Sequence, residues 1–241
     1  AIVPNLWEGS FNLSGLSINS TPITTYNISG QRLDISLPSF FKPEEVMIIN
    51  IQYTLNLPFA EQEDPSVSRP RIYGYTRRQL NLTNWYPFVV PYVNGDWVLH
   101  DPWYYGEHLV YDSADFEVNV KFADPANAPI VAASGVPEQQ ADSTRYTITA
   151  ARTFALAASP EFQVSSLQVG DIIVASYYFP LSKIAGRAAL QASAEALQIY
   201  SQKYGPYPHK TLSMVMGDFN ANPGEAAFGE NTRNQAGRGR L

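Results

Sequence analysis

The 241-residue chain contains no cysteine, which excludes disulfides, thiol nucleophiles and cysteine-ligated zinc together. Charge is scarce as well: 16% of residues are Asp, Glu, Lys or Arg, against roughly a quarter in an average globular domain. Sixteen basic side chains face twenty-two acidic ones, for a net charge of −6. That sign argues against nucleic acid or an anionic membrane surface as a partner. No apolar run approaches the roughly 18 residues of a membrane-spanning helix. No secretory leader is visible at its start, and the low charge with abundant Ser, Thr and Asn suits an exported protein.

Catalytic signatures are missing too. The three histidines, His100, His108 and His209, include no pair at the four-residue helical spacing that turns two imidazoles toward one metal. Each reads as a packed or surface histidine. There is no Gly-x-Ser-x-Gly nucleophile elbow and no phosphate-cradling Gly-x-x-x-x-Gly-Lys loop. Asp96, Asp101, Glu107, Asp112 and Asp115 crowd one region, and without a partner pattern they read as loop charges and turn caps. No active site follows from this chemistry alone.

What is present is a β-forming chain. Hydrophobic residues make up 45% of it, enough for a core. Tyr26–Ile35, Val46–Leu57, Trp97–Val98, Phe116–Phe122, Tyr146–Ala150 and Ile172–Phe179 are rich in Val, Ile, Thr, Tyr and Phe. Ile49, Ile51, Tyr53 and Leu55 alternate with polar neighbours, as a strand with one wet face does. Turn signals separate the runs at Ser29-Gly30, Asp124-Pro125 and Val169-Gly170-Asp171, and Asn94-Gly95 is the strongest hairpin signal. The expected fold class is mainly β, an antiparallel sandwich or sheet domain. Pro58–Pro70 and Ala123–Ser143 are read as loops.

One stretch, Leu181–Phe219, has a different pattern. Leu190, Ala194, Leu197 and Tyr204 are spaced for one helical face. Gly205 and Pro206 end the helix, and Lys210–Met216 reads as a short strand. Pro180–Gly186 is the expected junction with the β domain.

Two groups of residues carry a resemblance. The first is Leu82-Thr83-Asn84-Trp85-Tyr86-Pro87, then Asp101-Pro102-Trp103, Gly106-Glu107 and Asp112-Ser113-Ala114-Asp115-Phe116-Glu117-Val118. The second is Tyr204-Gly205-Pro206-Tyr207-Pro208, Leu212 and Gly217-Asp218-Phe219. In this order and spacing they resemble the gluzincin zinc aminopeptidases of the aminopeptidase N type, in particular divergent bacterial members. The resemblance implies a saddle-like β domain over 1–180 and the first helix and strand of a thermolysin-like catalytic domain over 181–219. It also implies a parent activity: zinc-dependent removal of amino-terminal residues from peptide substrates.

The departure lies after Phe219. The family continues into a Gly-x-Met-Glu edge and a His-Glu-x-x-His zinc helix, whereas here Asn220-Ala221-Asn222-Pro223-Gly224-Glu225 and a Gly-, Asn- and Arg-rich stretch follow. Residues 220–241 are therefore expected to be an atypical tail on a truncated chain. The chain as given is expected to be non-catalytic, to hold no metal and to need no cofactor, with zinc belonging to the full-length parent. In the family a Gln or Glu of the β domain reaches the peptide's amino terminus. Gln79 is the nearest counterpart, weighed against an ordinary exposed strand residue.

Two other functions compete. An isolated domain would expose the face meant for the catalytic half, and its helix and strand would lack most packing partners, so self-association or another protein could cover them. Alternatively, Trp85, Trp97 and Trp103 could serve a carbohydrate-binding sheet.

Overall fold

The computed structural model of the chain describes residues 9–37, 39–59, 73–83, 85–99 and 112–218. In chain order its strands are β1 (Ser10–Ile18), β2 (Thr21–Pro22), β3 (Tyr26–Ser29), β4 (Arg32–Ile35), β5 (Ile49–Asn56), β6 (Gly74–Tyr75), β7 (Leu80–Leu82), β8 (Tyr92–Val93) and β9 (Asp96–Trp97). They continue with β10 (Ala114–Val120), β11 (Ile130–Ala133), β12 (Val136–Gln139), β13 (Thr144–Ala151), β14 (Leu156–Ser159), β15 (Gln163–Val169) and β16 (Ile172–Tyr178). Helix α1 (Lys183–Tyr204) and β17 (Thr211–Val215) complete the order. The fold is mainly β with antiparallel sheets, as the composition of the chain leads one to expect. Contacts divide it into Ala1–Pro58 with Asn84–Asp112, and Phe59–Thr83 with Ser113–Leu241.

In the first unit, β1 pairs antiparallel with β5, and the alternation of β5 is real: Ile49, Ile51, Tyr53 and Leu55 are half-buried between exposed neighbours. Phe11 and Leu33 form the centre of a small core, with Leu13, Ile35, Ile51, Tyr53 and Leu55 packed on it. The rings of Phe11 and Tyr53 stack at 4.9 Å. The hairpins fall at the expected turns. β3 and β4 fold back at Gly30, while β8 and β9 join through Asn94 (φ 55°) and Gly95 (φ 87°). Two successive positive φ angles are what a type I′ turn demands, and Asn-Gly supplies them at low cost.

Among its described residues the second unit holds three sheets, ordered β10-β13-β12, β11-β14-β7-β6 and β15-β16-β17. Two strands, β11 and β12, lie inside the stretch 123–143 that reads as a loop. For β11 the reason is composition: it places Ala132 and Ala133 against Ala157 and Leu156 of β14, a strand buried at all four positions, whereas β12 is exposed throughout and is interrupted by Pro137. Short strands of small residues buried on both faces carry no alternation to detect.

α1 lays Gly186, Leu190, Ala194 and Leu197 toward the β15–β16 hairpin. There Leu190 and Leu197 join Ile172 and Val174 in one core, flanked by Leu167, Val169, Tyr207, Leu212 and Met214. The inner face of the helix is therefore covered, contrary to the expectation that it lacks partners. The chain then returns so that β17 runs parallel to β16, from Ile173↔Thr211 to Tyr177↔Val215, the strand–helix–strand connection that parallel pairing requires. Two differences of detail stand out. The helix begins at Lys183 after a 3-10 turn over Pro180–Ser182. Tyr204, expected on the buried face, is 81% exposed, because it is the last helical residue and Gly205 (φ 102°) turns the chain away after it.

Candidate functional site

The site is built where the β6–β7 hairpin meets the chain just after β17. Thr76-Arg77-Arg78-Gln79 closes that hairpin, with Thr76 N–H donating to the Gln79 carbonyl at 2.8 Å. Two-residue loops normally need positive φ to match strand twist, yet neither Arg77 nor Arg78 has it. The Thr76 hydroxyl compensates by accepting the N–H groups of Arg78 (3.2 Å) and Gln79 (3.1 Å), a local side-chain turn of the kind threonine favours.

Those two bonds leave the hydroxyl proton free, and it is donated to Asp218 Oδ2 at 2.8 Å. The other carboxylate oxygen, Oδ1, takes Arg78 Nη2 at 3.0 Å. The backbone N–H of Asp218 donates to Gln79 Oε1 at 2.6 Å. Arg78 Nε lies 3.9 Å from Glu161 Oε2, and the guanidinium carbon stands 4.0 Å from the centre of the Phe179 ring, within cation–π range. Thr76 and Gln79 are 5% and 3% exposed. Gln79 is therefore a buried turn residue and not an exposed strand residue. Its long amide replaces a strand partner for the N–H just beyond β17, and a buried N–H left unpaired would be costly.

Other sequence candidates do not converge here. His209 sits edge-on to Tyr207 at 5.5 Å, as a packed histidine does. Asp96 accepts the N–H of its neighbour Trp97, a local turn contact, whereas Asp115 accepts that of Ala150 across the β10–β13 pair and is not a turn cap. Trp97 packs on Tyr92 at 4.9 Å and Trp85 on Tyr86 at 5.5 Å, each with its own neighbour. His100, Asp101, Trp103, Glu107 and His108 lie outside the described residues. Among the described residues no three His, Cys, Asp or Glu side chains could together hold a metal. No described helix is long and apolar enough to cross a membrane.

Titration is perturbed elsewhere, inside the packing of the second unit. Burial pushes the Tyr146 phenol up to about 12, with Tyr177 adding to the effect. Burial raises Tyr177 as well. Tyr178 is instead held below the usual phenol range by its hydrogen bond to Ser165, with Arg187 and Lys183 assisting.

No protein-family model and no curated protein sequence matches this chain. Solved structures do. An M1 zinc metallopeptidase from Deinococcus radiodurans, in a point mutant bound to a Tyr-Ser-Ala substrate, superposes with a TM-score of 0.56 at 18% identity, over 86% of this chain and 46% of its own. The likeness is one of fold. The unmutated Deinococcus radiodurans enzyme gives a TM-score of 0.54 at 17% identity over the same shares. Legionella pneumophila aminopeptidase A, in complex with aspartic acid, gives 0.51 at 15% over 91% of this chain and 26% of its own. The chain thus spans a little under half of the first two structures and about a quarter of the third.

Thr76, Arg78 and Asp218 are the site residues that sequence reasoning did not single out. Asp218 does stand in the Gly217-Asp218-Phe219 stretch that carries the resemblance. Its pairing with Arg78, however, has no local signature.

Proposed function

We propose that this chain is the amino-terminal, substrate-positioning part of a zinc aminopeptidase-type metallopeptidase whose substrates are peptides with a free amino terminus. Residues 1–180 would form its saddle-like β domain and 181–219 the opening helix and strand of its catalytic domain. The chain itself supplies neither zinc nor the general base. One observation carries the reading. Gln79, the residue that the resemblance implies for the peptide's amino terminus, meets Asp218 of the Gly217-Asp218-Phe219 stretch in a 2.6 Å hydrogen bond. The fold likeness to M1 metallopeptidases over 86% of the chain supports it. Within this reading Gln79 faces the amino-terminal end of the peptide.

Two measurements test the proposal. Reading the coding locus past the codon for Phe219, in all three frames, should reveal Gly-x-Met-Glu followed by His-Glu-x-x-His. A stop codon with neither motif overturns the enzyme reading. The purified chain assayed with added zinc should release no amino acid from peptides, and measurable release would sink the non-catalytic assignment.

A second reading, self-association, rests on apolar residues exposed on α1 and the 3-10 turn before it. Leu181, Ile184, Ile199 and Tyr200 are 85%, 84%, 49% and 60% exposed, and apolar surface left in water favours association. Light scattering after size exclusion should show a dimer or larger species at high concentration. A strict monomer removes this reading.

A further inference from the structure

We propose that the first unit carries a binding site for a small organic ammonium ion, lined by the rings of Phe40 and Phe41 and by the carboxylate of Glu45. The site lies wholly within that unit and does not depend on the peptidase reading.

A cavity of about 470 Å³ opens between the β1–β2 turn and the segment 37–47 that joins β4 to β5. That size falls within the range of small-molecule sites, about 300–1,000 Å³. Leu37, Phe40, Phe41 and Val46 line it and stay 44%, 96%, 48% and 83% exposed. Apolar side chains left in water around a hollow are a surface that a ligand can cover. Both walls are held by hydrogen bonds. On one side Asn19 N–H donates to the Ile48 carbonyl at 2.8 Å, and Ile48 N–H donates to Asn19 Oδ1 at 2.8 Å. On the other, Glu45 N–H donates to the Lys42 carbonyl at 3.2 Å and closes a turn through Pro43 and Glu44 (φ 69°). Proline second and a positive φ third is the type II pattern. Lys42 N–H then donates to Glu45 Oε2 at 2.9 Å. One carboxylate oxygen is thus tied to the turn, and among the described residues Oε1 has no partner.

Charge decides the class of ligand. Among the described residues lining the cavity Glu45 alone is charged, and no described Lys or Arg forms an ion pair with it. A carboxylate in an otherwise neutral hollow attracts a cation and repels an anion. The aromatic faces favour the same sign. A hard metal ion does not suit the lining, since it asks for about six or more oxygen ligands and here one carboxylate stands among hydrocarbon. An ammonium ion clothed in alkyl groups does suit it: its charge meets Glu45 and its carbons meet Phe40, Phe41 and Val46.

The test is a titration of the ¹⁵N-labelled 241-residue chain, following the Val46 and Met47 backbone amides. The two probes are choline and 3,3-dimethylbutan-1-ol, which share a shape and differ in that carbon replaces the charged nitrogen. At low salt choline should shift the amides with a midpoint about 3- to 10-fold lower, the combined worth of exposed cation–π contacts and one exposed ion pair. Glu45→Gln keeps an oxygen for the Lys42 N–H and removes the charge, so the preference should fall away. Phe40→Leu changes a side chain that is almost wholly in water, where folding is not at stake, and should weaken choline while leaving the alcohol unchanged. Equal midpoints in the wild-type chain overturn the proposal, and so does a shift with neither probe. A preference that Glu45→Gln leaves intact overturns it as well, because another group then reads the charge. Full preference in Phe40→Leu overturns the part given to that ring. None of these results bears on the aminopeptidase-type reading.

Discussion

Gly186 of the helix lies directly against Tyr178 of the strand before it: a Cβ built on Gly186 would sit 2.2 Å from Tyr178 Cδ1 and 2.7 Å from its Cβ. Such approaches do not occur between real atoms, so the helix can reach the sheet only because no side chain stands there. Gly186→Ala puts two effects in opposition. Alanine favours a helix interior by about 1 kcal/mol, while forcing a methyl group into a closed contact costs about 2 kcal/mol or more. The clash should win, and thermal melting should show a lower midpoint. A raised midpoint would mean that the helix stands further off the ring.

The core between helix and sheet is small, and Leu197 is near its centre at 5% exposure. Leu197→Ala should cost about 2–5 kcal/mol, read from the urea midpoint. A truncation at Ile199 on the outer side should leave the midpoint nearly unchanged.

At the hairpin, Thr76→Val keeps the shape of the side chain and removes a hydroxyl that serves two N–H groups and Asp218. A loss of about 2 kcal/mol is expected, since buried donors are left unpaired. Arg78→Ala should cost less, about 1 kcal/mol, because 38% of that side chain is exposed and water screens the pair. Added salt should shrink the Arg78 effect and leave the Thr76 effect in place, a contrast that urea denaturation at two ionic strengths resolves.

Alkaline pH should unfold the second unit through Tyr146. Its phenol is pushed from 10.0 up to about 12, so the folded state holds the proton more tightly than the unfolded chain does. The stabilisation is complete below about pH 10 and drains away as pH climbs toward 12. Tyr146→Phe should flatten the fall in urea midpoint across that window. An unchanged slope would assign the fall to other groups, Tyr177 first.

How much of this could be read in the sequence depended on the length scale of the signal. Asn94-Gly95, the alternating Ile49–Leu55 face and the Leu190, Ala194, Leu197 stripe are local patterns, and each appears where it was expected. β11 and β14 were hidden because alanines buried on both faces leave no periodicity. Gln79 was named from a resemblance, but its burial could not be read locally. Its partner stands 139 positions away, and that partner is a backbone N–H, which every residue but proline possesses. The Arg78–Asp218 pair was invisible for the same reason of distance.

The parallel register of β17 against β16 also sets an order of events during synthesis. Hairpin β15–β16 can form as soon as its turn at Gly170 has been made. The far edge of β16 then waits, its backbone groups unpaired, while the ribosome adds the whole of α1 and the turn after it. Only when Thr211–Val215 emerges is that edge closed. Until then the nascent chain carries an open strand beside a half-built core, the kind of surface on which neighbouring nascent chains pair wrongly. The glycine that lets α1 dock close to Tyr178 thus also bears on how well that edge is sheltered in the interval.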